Sequence, residues 1–216
     1  CNSCFSGKYN DLIGQTFCKK CPAGTENGNT KSISINSCIN CTPGFYSREG
    51  FSKCLPCSPG TYSNEYGTKE CIKTIPGTYT TNPGSINPLN CAPGSYSDVY
   101  GSTNCTLCNP GRYNTNYGSI SINHCVSCPV GRFINVSGST FCYNATKGTY
   151  QDKEGQNNTI PCPIGTSNTN IGSIDESFCE PCSRGTYQYD IGSDTCIPCD
   201  VGYYQNKLGQ SQCIQC

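Results

Sequence analysis

The chain has 216 residues, a formal net charge of zero and 22 cysteines. Leucine, isoleucine, valine and phenylalanine make up under a sixth of the chain, and methionine and tryptophan are absent. Burial of so few apolar side chains cannot offset the conformational entropy of an ordinary globular domain. The composition therefore predicts a disulfide scaffold from an oxidising compartment, and it excludes a basic surface for nucleic acid.

No apolar run approaches the roughly 18–20 residues of a membrane-spanning helix, so no span is expected in this segment. The chain begins on cysteine rather than methionine and ends within a repeated cysteine pattern. We therefore expect it to be part of a longer exported chain that is secreted or displayed at the cell surface.

A single pattern fills the chain: Cys-x2-Cys-x2-Gly-x-Tyr-x4-Gly-x3-Cys-x2-Cys, in which each closing cysteine pair also opens the next copy. Such repetition is typical of solenoids and arrays. About twelve repeats of 16–20 residues form a continuous array over 1–216, each with a marker glycine three residues after its opening position. The marker glycines of repeats 1 to 12 are Gly7, Gly24, Gly44, Gly60, Gly77, Gly94, Gly111, Gly131, Gly148, Gly165, Gly185 and Gly202.

Three repeats reach 20 residues through related insertions at 31–36, 118–123 and 172–177. Insertions at one fixed phase are expected in loops on one face of a stack. Two residues after the marker glycine, ten repeats carry an aromatic residue, and Glu26 and Ser167 are the exceptions. A second glycine usually follows seven residues after the marker and is expected at a turn position with positive φ.

Each repeat is therefore predicted to contain two short strands joined by a glycine turn, because glycine and proline interrupt any helical periodicity. The predicted fold is small, disulfide-rich and all-β, an elongated solenoid-like rod of about twelve hairpins with little or no helix. Neighbouring repeats are expected to couple mainly through their shared Cys-x2-Cys segments, as in a quasi-one-dimensional array.

Repeats 5 and 9 depart from the pattern in the same way, and this departure indicates how the cysteines pair. Thr74 and Pro88 replace two cysteines of repeat 5, and Ala145 and Thr159 replace the equivalent two of repeat 9. Cysteines that are lost together are best explained as partners, so we predict a bond between the inner cysteines of each remaining repeat. The predicted bonds are Cys4–Cys18, Cys21–Cys38, Cys41–Cys54, Cys57–Cys71, Cys91–Cys105, Cys108–Cys125, Cys128–Cys142, Cys162–Cys179, Cys182–Cys196 and Cys199–Cys213.

Other uses of the cysteines stay open at this level. A crossed scheme, from the first cysteine of one pair to the second cysteine of the next, would leave four internal cysteines unpaired. Zinc ribbons have similar spacing, but repeats 5 and 9 would leave half-sites with two ligands. Thiol–disulfide exchange needs one activated pair at a helix start. We therefore expect no metal or cofactor, and Cys1 and Cys216 to lack a partner within the chain.

Few other residues suggest chemistry. His124 is the single histidine, and a surface or packing role is expected for it. The acidic pairs Asp152 with Glu154 and Asp175 with Glu176 lack the ordered oxygen ligands of a calcium loop, so they are expected to be solvated loop charges. The recurring tyrosines are expected to stack on neighbouring disulfides or rings, and an aromatic strip that binds a ligand is the alternative.

Asn-x-Ser/Thr signals for N-linked glycosylation occur at five positions, Asn40, Asn104, Asn135, Asn144 and Asn157. Cysteine stands at the middle position of the first two signals, and this usually lowers occupancy. We therefore expect N-linked glycans chiefly at the last three.

The stretches Cys-Ser-Pro-Gly-Thr-Tyr at 57–62 and Cys-Ala-Pro-Gly-Ser-Tyr at 91–96, followed by a further cysteine, resemble a known family. They are similar to the ephrin-receptor-like cysteine-rich repeat and to the short A-type module of tumour-necrosis-factor-receptor ectodomains. In that receptor module the corresponding cysteines are bonded, which agrees with the pairs predicted above. The resemblance covers the whole chain, which lacks the longer B-type modules, and similar arrays occur in protist surface proteins.

Repetition without a singular site favours a non-catalytic extracellular structural protein, such as a glycosylated stalk, coat or filament component. Its expected partners are further copies of itself or other extracellular structural proteins, with N-linked glycans and no nucleic acid. The alternative is an adhesion or receptor ectodomain that binds a protein or glycan along its repeat face. An enzyme is not expected, because catalysis requires one place that differs from all the others.

Overall fold

The structure, a computed structural model, describes residues 3–216, and in this range it contains short strands, turns and three 3₁₀ helices but no α-helix. Twenty-four two-residue strands pair into twelve two-stranded sheets, one for each repeat. The disulfide-rich all-β fold predicted from the sequence is confirmed. No helix in the described range is long and apolar enough to cross a bilayer.

The strands are numbered β1 to β24 in chain order, two for each repeat. Their bounds are Lys8–Tyr9, Lys19–Lys20, Thr25–Glu26, Ile39–Asn40, Phe45–Tyr46, Leu55–Pro56, Thr61–Tyr62, Ile72–Lys73, Thr78–Tyr79, Leu89–Asn90, Ser95–Tyr96, Thr106–Leu107, Arg112–Tyr113, Val126–Ser127, Arg132–Phe133, Tyr143–Asn144, Thr149–Tyr150, Ile160–Pro161, Thr166–Ser167, Glu180–Pro181, Thr186–Tyr187, Ile197–Pro198, Tyr203–Tyr204 and Ile214–Gln215.

Each hairpin begins directly after the marker glycine and returns through the two residues of a Cys-x2-Cys segment, or of the equivalent segment in repeats 4, 5, 8 and 9, where one of the two cysteines is replaced. In repeat 4, β7 and β8 are antiparallel, and Tyr62 lies opposite Ile72. The marker glycine Gly60 has a φ of 80°, a left-handed conformation that disfavours any residue with a Cβ atom. Where both cysteines of the segment are present, the two residues between them form a strand. The two cysteines themselves belong to different disulfides, as Cys18 and Cys21 do.

The insertions of repeats 2, 7 and 10 each add one short 3₁₀ helix, at Ile35–Ser37, Ile122–His124 and Glu176–Phe178. Side-chain caps begin the first and the third of these helices. The Ser34 hydroxyl accepts a hydrogen bond from the Asn36 amide at 3.2 Å, and the Asp175 carboxylate accepts one from the Ser177 amide at 2.8 Å. Such caps satisfy backbone donors that a helix start leaves free.

Three backbone hydrogen bonds join each hairpin to the next, in addition to the shared Cys-x2-Cys segment. At the junction of repeats 5 and 6, the Gly77 amide donates to the Ser97 carbonyl at 2.7 Å, and the Gly101 amide donates back to the Thr74 carbonyl at 2.8 Å. The third bond runs from the residue three after the marker glycine, over 2.9–3.4 Å along the chain. The expectation that neighbours couple mainly through the shared segment is therefore corrected, because the backbone also couples them.

The marker glycines also pack against the backbone two repeats further along the chain. A methyl group on Gly148 would overlap the carbonyl oxygen of Gly192, and the equivalent overlap occurs for repeats 1 to 10. At Gly185 and Gly202, by contrast, no atom lies within 4 Å of such a methyl group. Glycine is thus required for two reasons in most repeats, its positive φ and this close backbone approach.

Residue contacts divide the chain into two compact units. The first comprises Cys1–Ala92, Tyr96–Thr106 and Tyr117–Ser121, and the second comprises Pro93–Ser95, Leu107–Asn116 and Ile122–Cys216. Within each unit the buried side chains are mainly cysteines and small polar residues rather than large aliphatic ones. Repeat 5 belongs to the first unit and repeat 9 to the second.

Candidate functional site

The structure contains ten disulfides, and they join the inner cysteines of repeats 1–4, 6–8 and 10–12. These are the pairs inferred from the joint losses in repeats 5 and 9. Their Cα atoms lie 5.5–5.8 Å apart, the ordinary span of a disulfide. Within residues 3–216, Cys216 alone stands outside a disulfide, and it is exposed. The expectation for Cys1 lies outside the described residues.

The bonded cysteines offer no thiolate, which is the form that binds zinc and that attacks disulfides. Over the part of the chain that the structure describes, no three His, Cys, Asp or Glu side chains lie close enough to hold a metal ion. His124 is exposed at the end of the second 3₁₀ helix.

Asp152 and Glu154 lie on an exposed loop of repeat 9, and Asp175 and Glu176 lie at the start of the third 3₁₀ helix in repeat 10. Burial raises the pKa of the Tyr150 phenol, and the carboxylates of Glu176 and Asp152 raise it further. The Asp175 carboxylate is used as a helix cap and also accepts the Ser177 hydroxyl. These carboxylates thus act locally and do not gather into one site.

The side chains three residues after each marker glycine form a row of equivalent positions, most of them polar and buried, which the sequence analysis did not predict. The row comprises Asn10, Asn27, Ser47, Ser63, Thr80, Ser97, Asn114, Ile134, Gln151, Asn168, Gln188 and Gln205, all buried except the half-buried Asn10. The recurrence of Asn, Gln, Ser and Thr at one phase was a signal that could have revealed it. Only Ile134 departs from that signal.

The amides of this row satisfy their own polar groups while buried, as burial requires. The Gln151 side chain donates to the Asn158 carbonyl at 2.7 Å and accepts from the Lys153 amide at 3.0 Å, so it braces its own loop. In the longer repeat 10, Asn168 instead donates to the Thr149 carbonyl at 3.0 Å, in the preceding hairpin. Glutamine braces its own loop in this way in repeats 9, 11 and 12, whereas the asparagines of the longer repeats 2, 7 and 10 donate to the preceding hairpin.

The recurring aromatic residues form a second row, which is only partly covered. Each pairs across its hairpin, as Tyr62 does with Ile72 and Phe133 with Tyr143. Ring contact adds to the second pair, whose centroids are 6.3 Å apart. Most of these rings are half-buried, so they stabilise the hairpins and still present an edge to solvent.

The five asparagines of the glycosylation signals are all exposed, but their surroundings differ. Asn135 and Asn157 lie in loops, whereas Asn40 and Asn144 end strands β4 and β16. A methyl group on Gly67 would lie 3.4 Å from the Asn40 amide oxygen, so that side chain rests on a neighbouring repeat. Asn104 lies on a turn directly before the bonded Cys105.

The described residues contain two ion pairs, and both are superficial. The Lys19 ammonium lies 2.8 Å from the Asp11 carboxylate, which lowers the pKa of that carboxyl and raises the pKa of the lysine. Both groups are exposed to solvent, so the pair contributes little to stability. A depression of about 580 Å³ is lined by Asp11 and by the exposed Leu12 and Ile13, among others.

Comparison with known proteins places this repeat in a family. Two curated relatives, from Mus musculus and Rattus norvegicus, are both named "Sushi, von Willebrand factor type A, EGF and pentraxin domain-containing protein 1", and each is 31% identical over 88 residues. The alignment covers 40% of this chain but only 2% of each relative. The family model described as "tyrosine-protein kinase ephrin type A/B receptor-like" matches five segments, 1–43, 44–91, 131–179, 174–199 and 189–216. Because these matches cover well over half of the chain, the chain belongs to this ephrin-receptor-like repeat family.

Proposed function

We propose that this chain is a non-catalytic structural segment of an extracellular protein, a glycosylated stalk, coat or filament component. One observation carries the proposal: twelve hairpins share one backbone plan. Uniform units suit spanning a distance and presenting many equal surfaces, whereas catalysis needs one preorganised place. Ten disulfides and a family of extracellular-domain type support a location outside the cell or at its surface.

N-linked glycans on the loop signals belong to this proposal. Asn135 and Asn157 are exposed in loops, so an attached sugar would extend into solvent without displacing a packed side chain. Asn144 is exposed as well, but its side chain lies 3.8 Å from a methyl group placed on Gly172. We therefore expect the two loop sites to be more fully occupied than Asn144, and Asn40 and Asn104 to be the least occupied.

Electron microscopy of the native material tests the structural role, together with intact-mass measurement before and after enzymatic deglycosylation. Regular fibres, or a periodic surface layer, that form without any added partner are the expected result. A monodisperse species at all concentrations that binds one ligand to saturation would contradict it. The glycan expectation is scored separately, by peptide mapping of the five asparagines.

The half-buried aromatic row favours a second candidate, an adhesion or receptor ectodomain that binds a protein or glycan. Tyr62 and Tyr79 of consecutive repeats lie opposite exposed aliphatic residues, Ile72 and Leu89, so each hairpin presents an amphipathic edge. Tyrosine, with its apolar ring and polar hydroxyl, is enriched at protein interfaces. A saturable ligand whose affinity falls when Ile72 and Leu89 are replaced by serine, with the fold intact by circular dichroism, would favour this candidate.

A further inference from the structure

The disulfide map divides the chain into stretches that differ in one covalent property. Ten loops are closed by a disulfide, and short segments of two residues separate most of them. Two longer stretches, 72–90 and 143–161, have no disulfide across them, and they contain repeats 5 and 9. A single peptide-bond cleavage inside a closed loop leaves both parts of the chain joined, whereas one inside these stretches separates them.

Basic residues are distributed unequally between the two stretches. Within repeat 9, Lys147 and Lys153 are both exposed on loops. Repeat 5, over 74–88, contains no lysine or arginine. Lys73 lies outside that loop, in strand β8, where its backbone is paired with Thr61. An endopeptidase that cleaves after lysine thus finds exposed loop substrates in repeat 9 and none in repeat 5.

An internal control lies at the same phase of repeat 12. Lys207 follows Gln205 as Lys153 follows Gln151, and in both loops the lysine amide donates to the glutamine oxygen at 3.0 Å. The two loops differ in their closure, because Cys199–Cys213 spans repeat 12 and nothing equivalent spans repeat 9. The same lysine position in the same glutamine-braced loop is therefore present in repeat 12 with a disulfide and in repeat 9 without one.

We propose that repeat 9 is a proteolytic processing site, at which a lysine-directed endopeptidase divides the chain into two covalently separate parts. Water adds across the peptide bond after Lys147 or Lys153, which leaves a new carboxylate on the N-terminal part and a new amine on the C-terminal part. No disulfide then connects residues before the cut to residues after it. The proposal goes beyond the structural role and does not depend on it.

The cut parts are held together only by non-covalent contacts. The Gly172 amide donates to the Ala145 carbonyl at 2.7 Å across either cut, and the Gly148 amide donates to the Asn168 carbonyl at 2.7 Å across the cut after Lys153. The Gln151 brace to Asn158 also crosses the cut after Lys153. Separation therefore follows cleavage when these bonds are disrupted, whereas a closed repeat would first require reduction.

Limited digestion with trypsin tests the proposal on the whole protein. It is carried out before and after enzymatic removal of N-linked glycans, because Asn157, a glycosylation signal, lies in the same loop as Lys153. Early time points are alkylated and separated by denaturing electrophoresis without reductant. The expected first products are two fragments that end and begin at Lys147 or Lys153. First cuts confined to closed loops, which leave one band until reductant is added, would overturn the proposal.

Two variants complete the test. The double variant Ala145→Cys with Thr159→Cys places cysteines at the phase that is bonded elsewhere, and it should slow cleavage at Lys153 by at least about tenfold and keep any cut chain joined. The double variant Lys147→Gln with Lys153→Gln changes only exposed side chains and should abolish the first-formed separable products, because the other lysines outside closed loops, Lys19, Lys20 and Lys73, have strand-paired backbones. Cleavage at Lys207 provides the reference in every sample, because it should give one band without reductant and two with it. Unchanged release of fragments from either variant contradicts the proposal.

Discussion

Repeats 5 and 9 lack the same disulfide, yet each forms the same hairpin as its closed neighbours. In repeat 5 Tyr79 lies opposite Leu89, and in repeat 9 Tyr150 lies opposite Ile160. The residues that replace the opening cysteine, Thr74 and Ala145, are fully buried. Their carbonyls accept the same hydrogen bond from the next repeat that a cysteine carbonyl accepts elsewhere.

The two open repeats differ in what restrains their loops. Repeat 5 carries three prolines, Pro76, Pro83 and Pro88, which reduce the conformational freedom of the unfolded chain. Repeat 9 has no proline between its strands and relies on the side chain of Gln151, which is 2% exposed and bonded twice within the loop. Thr80, at the same phase of repeat 5, donates to the preceding hairpin instead.

The shape of the hairpin and the covalent closure of its loop therefore have separate causes. The hairpin and its register come from the marker glycine and the backbone bonds between repeats, because both persist without the disulfide. The disulfide adds covalent closure to a loop that is already shaped, which lowers the entropy of the unfolded state. The following predictions test this division, beginning with the largest effect.

Replacing Gly77 or Gly148 by alanine should unfold the open repeat concerned, at a cost of about 3 kcal/mol or more, since a new methyl group meets backbone that cannot move aside. Urea unfolding followed by circular dichroism measures the loss. The matched control is Gly185→Ala, which has the same positive φ but open space around it and should cost only about 1 kcal/mol. Equal losses at Gly148 and Gly185 would show that backbone packing between repeats is unimportant.

Restoring the missing disulfide should stabilise both open repeats, but unequally. Ala145→Cys with Thr159→Cys should add about 3 kcal/mol, the value for a loop of some 15 residues. Thr74→Cys with Pro88→Cys should add roughly 0.5–1 kcal/mol less, because it removes a proline that already restricts the unfolded loop. Unfolding curves of oxidised and reduced samples measure the gain, and the single-cysteine variants serve as controls. A larger gain in repeat 5 than in repeat 9 would contradict the role given to the prolines.

Gln151→Ala should loosen repeat 9 by about 1–3 kcal/mol, because it removes the two hydrogen bonds that this buried side chain makes within the loop. Hydrogen exchange at the Lys153 amide measures this opening directly. Gln205→Ala removes the same brace inside a disulfide-closed loop, so exchange at Lys207 should rise less. If both amides respond equally, the brace matters no more in an open loop than in a closed one.

Lys31 is the only described non-glycine residue with positive φ, at 58°, and it occupies the second-glycine phase of a closed repeat. Lys31→Gly should therefore raise stability by about 1 kcal/mol, by relieving left-handed strain. The reverse change in an open repeat, Gly155→Lys, should cost at least as much. Thermal unfolding measures both, and a destabilised Lys31→Gly variant would mean that the lysine side chain compensates for its backbone.

The smallest effect is expected at the exposed pair of Asp11 and Lys19, in a closed repeat. Hydrogen bonding to Lys19 lowers the pKa of Asp11 below its ordinary value, so any stabilisation is present above the unfolded pKa and is lost as the pH falls through the folded pKa. Asp11→Asn should leave the melting temperature at neutral pH unchanged within experimental error, because both groups are solvated. A clear loss at neutral pH that disappears in acid would show that the pair matters.

The disulfide pairs could be predicted from a few single residues. The joint loss of cysteines at Thr74 with Pro88, and at Ala145 with Thr159, pointed to the bonded pairs, because one cysteine of a pair cannot form a disulfide without the other. The row of Gln151 and its equivalents escaped prediction, because a polar residue near a turn is usually solvated. Its position is fixed by the following repeat, because the Gln151 backbone amide donates to the Ser173 carbonyl there.

The amino-acid sequence by itself determined the repeat, the positions of the turns and the pairing of the cysteines, because glycine φ preferences and covalent closure act within one repeat. Only the tertiary structure decided how repeats contact one another. The packing of Gly148 against Gly192 and the bonds between successive hairpins join residues two repeats or one repeat apart. Such contacts depend on the rise and rotation between repeats, which are set by the folded backbone and carry no signature in any single repeat.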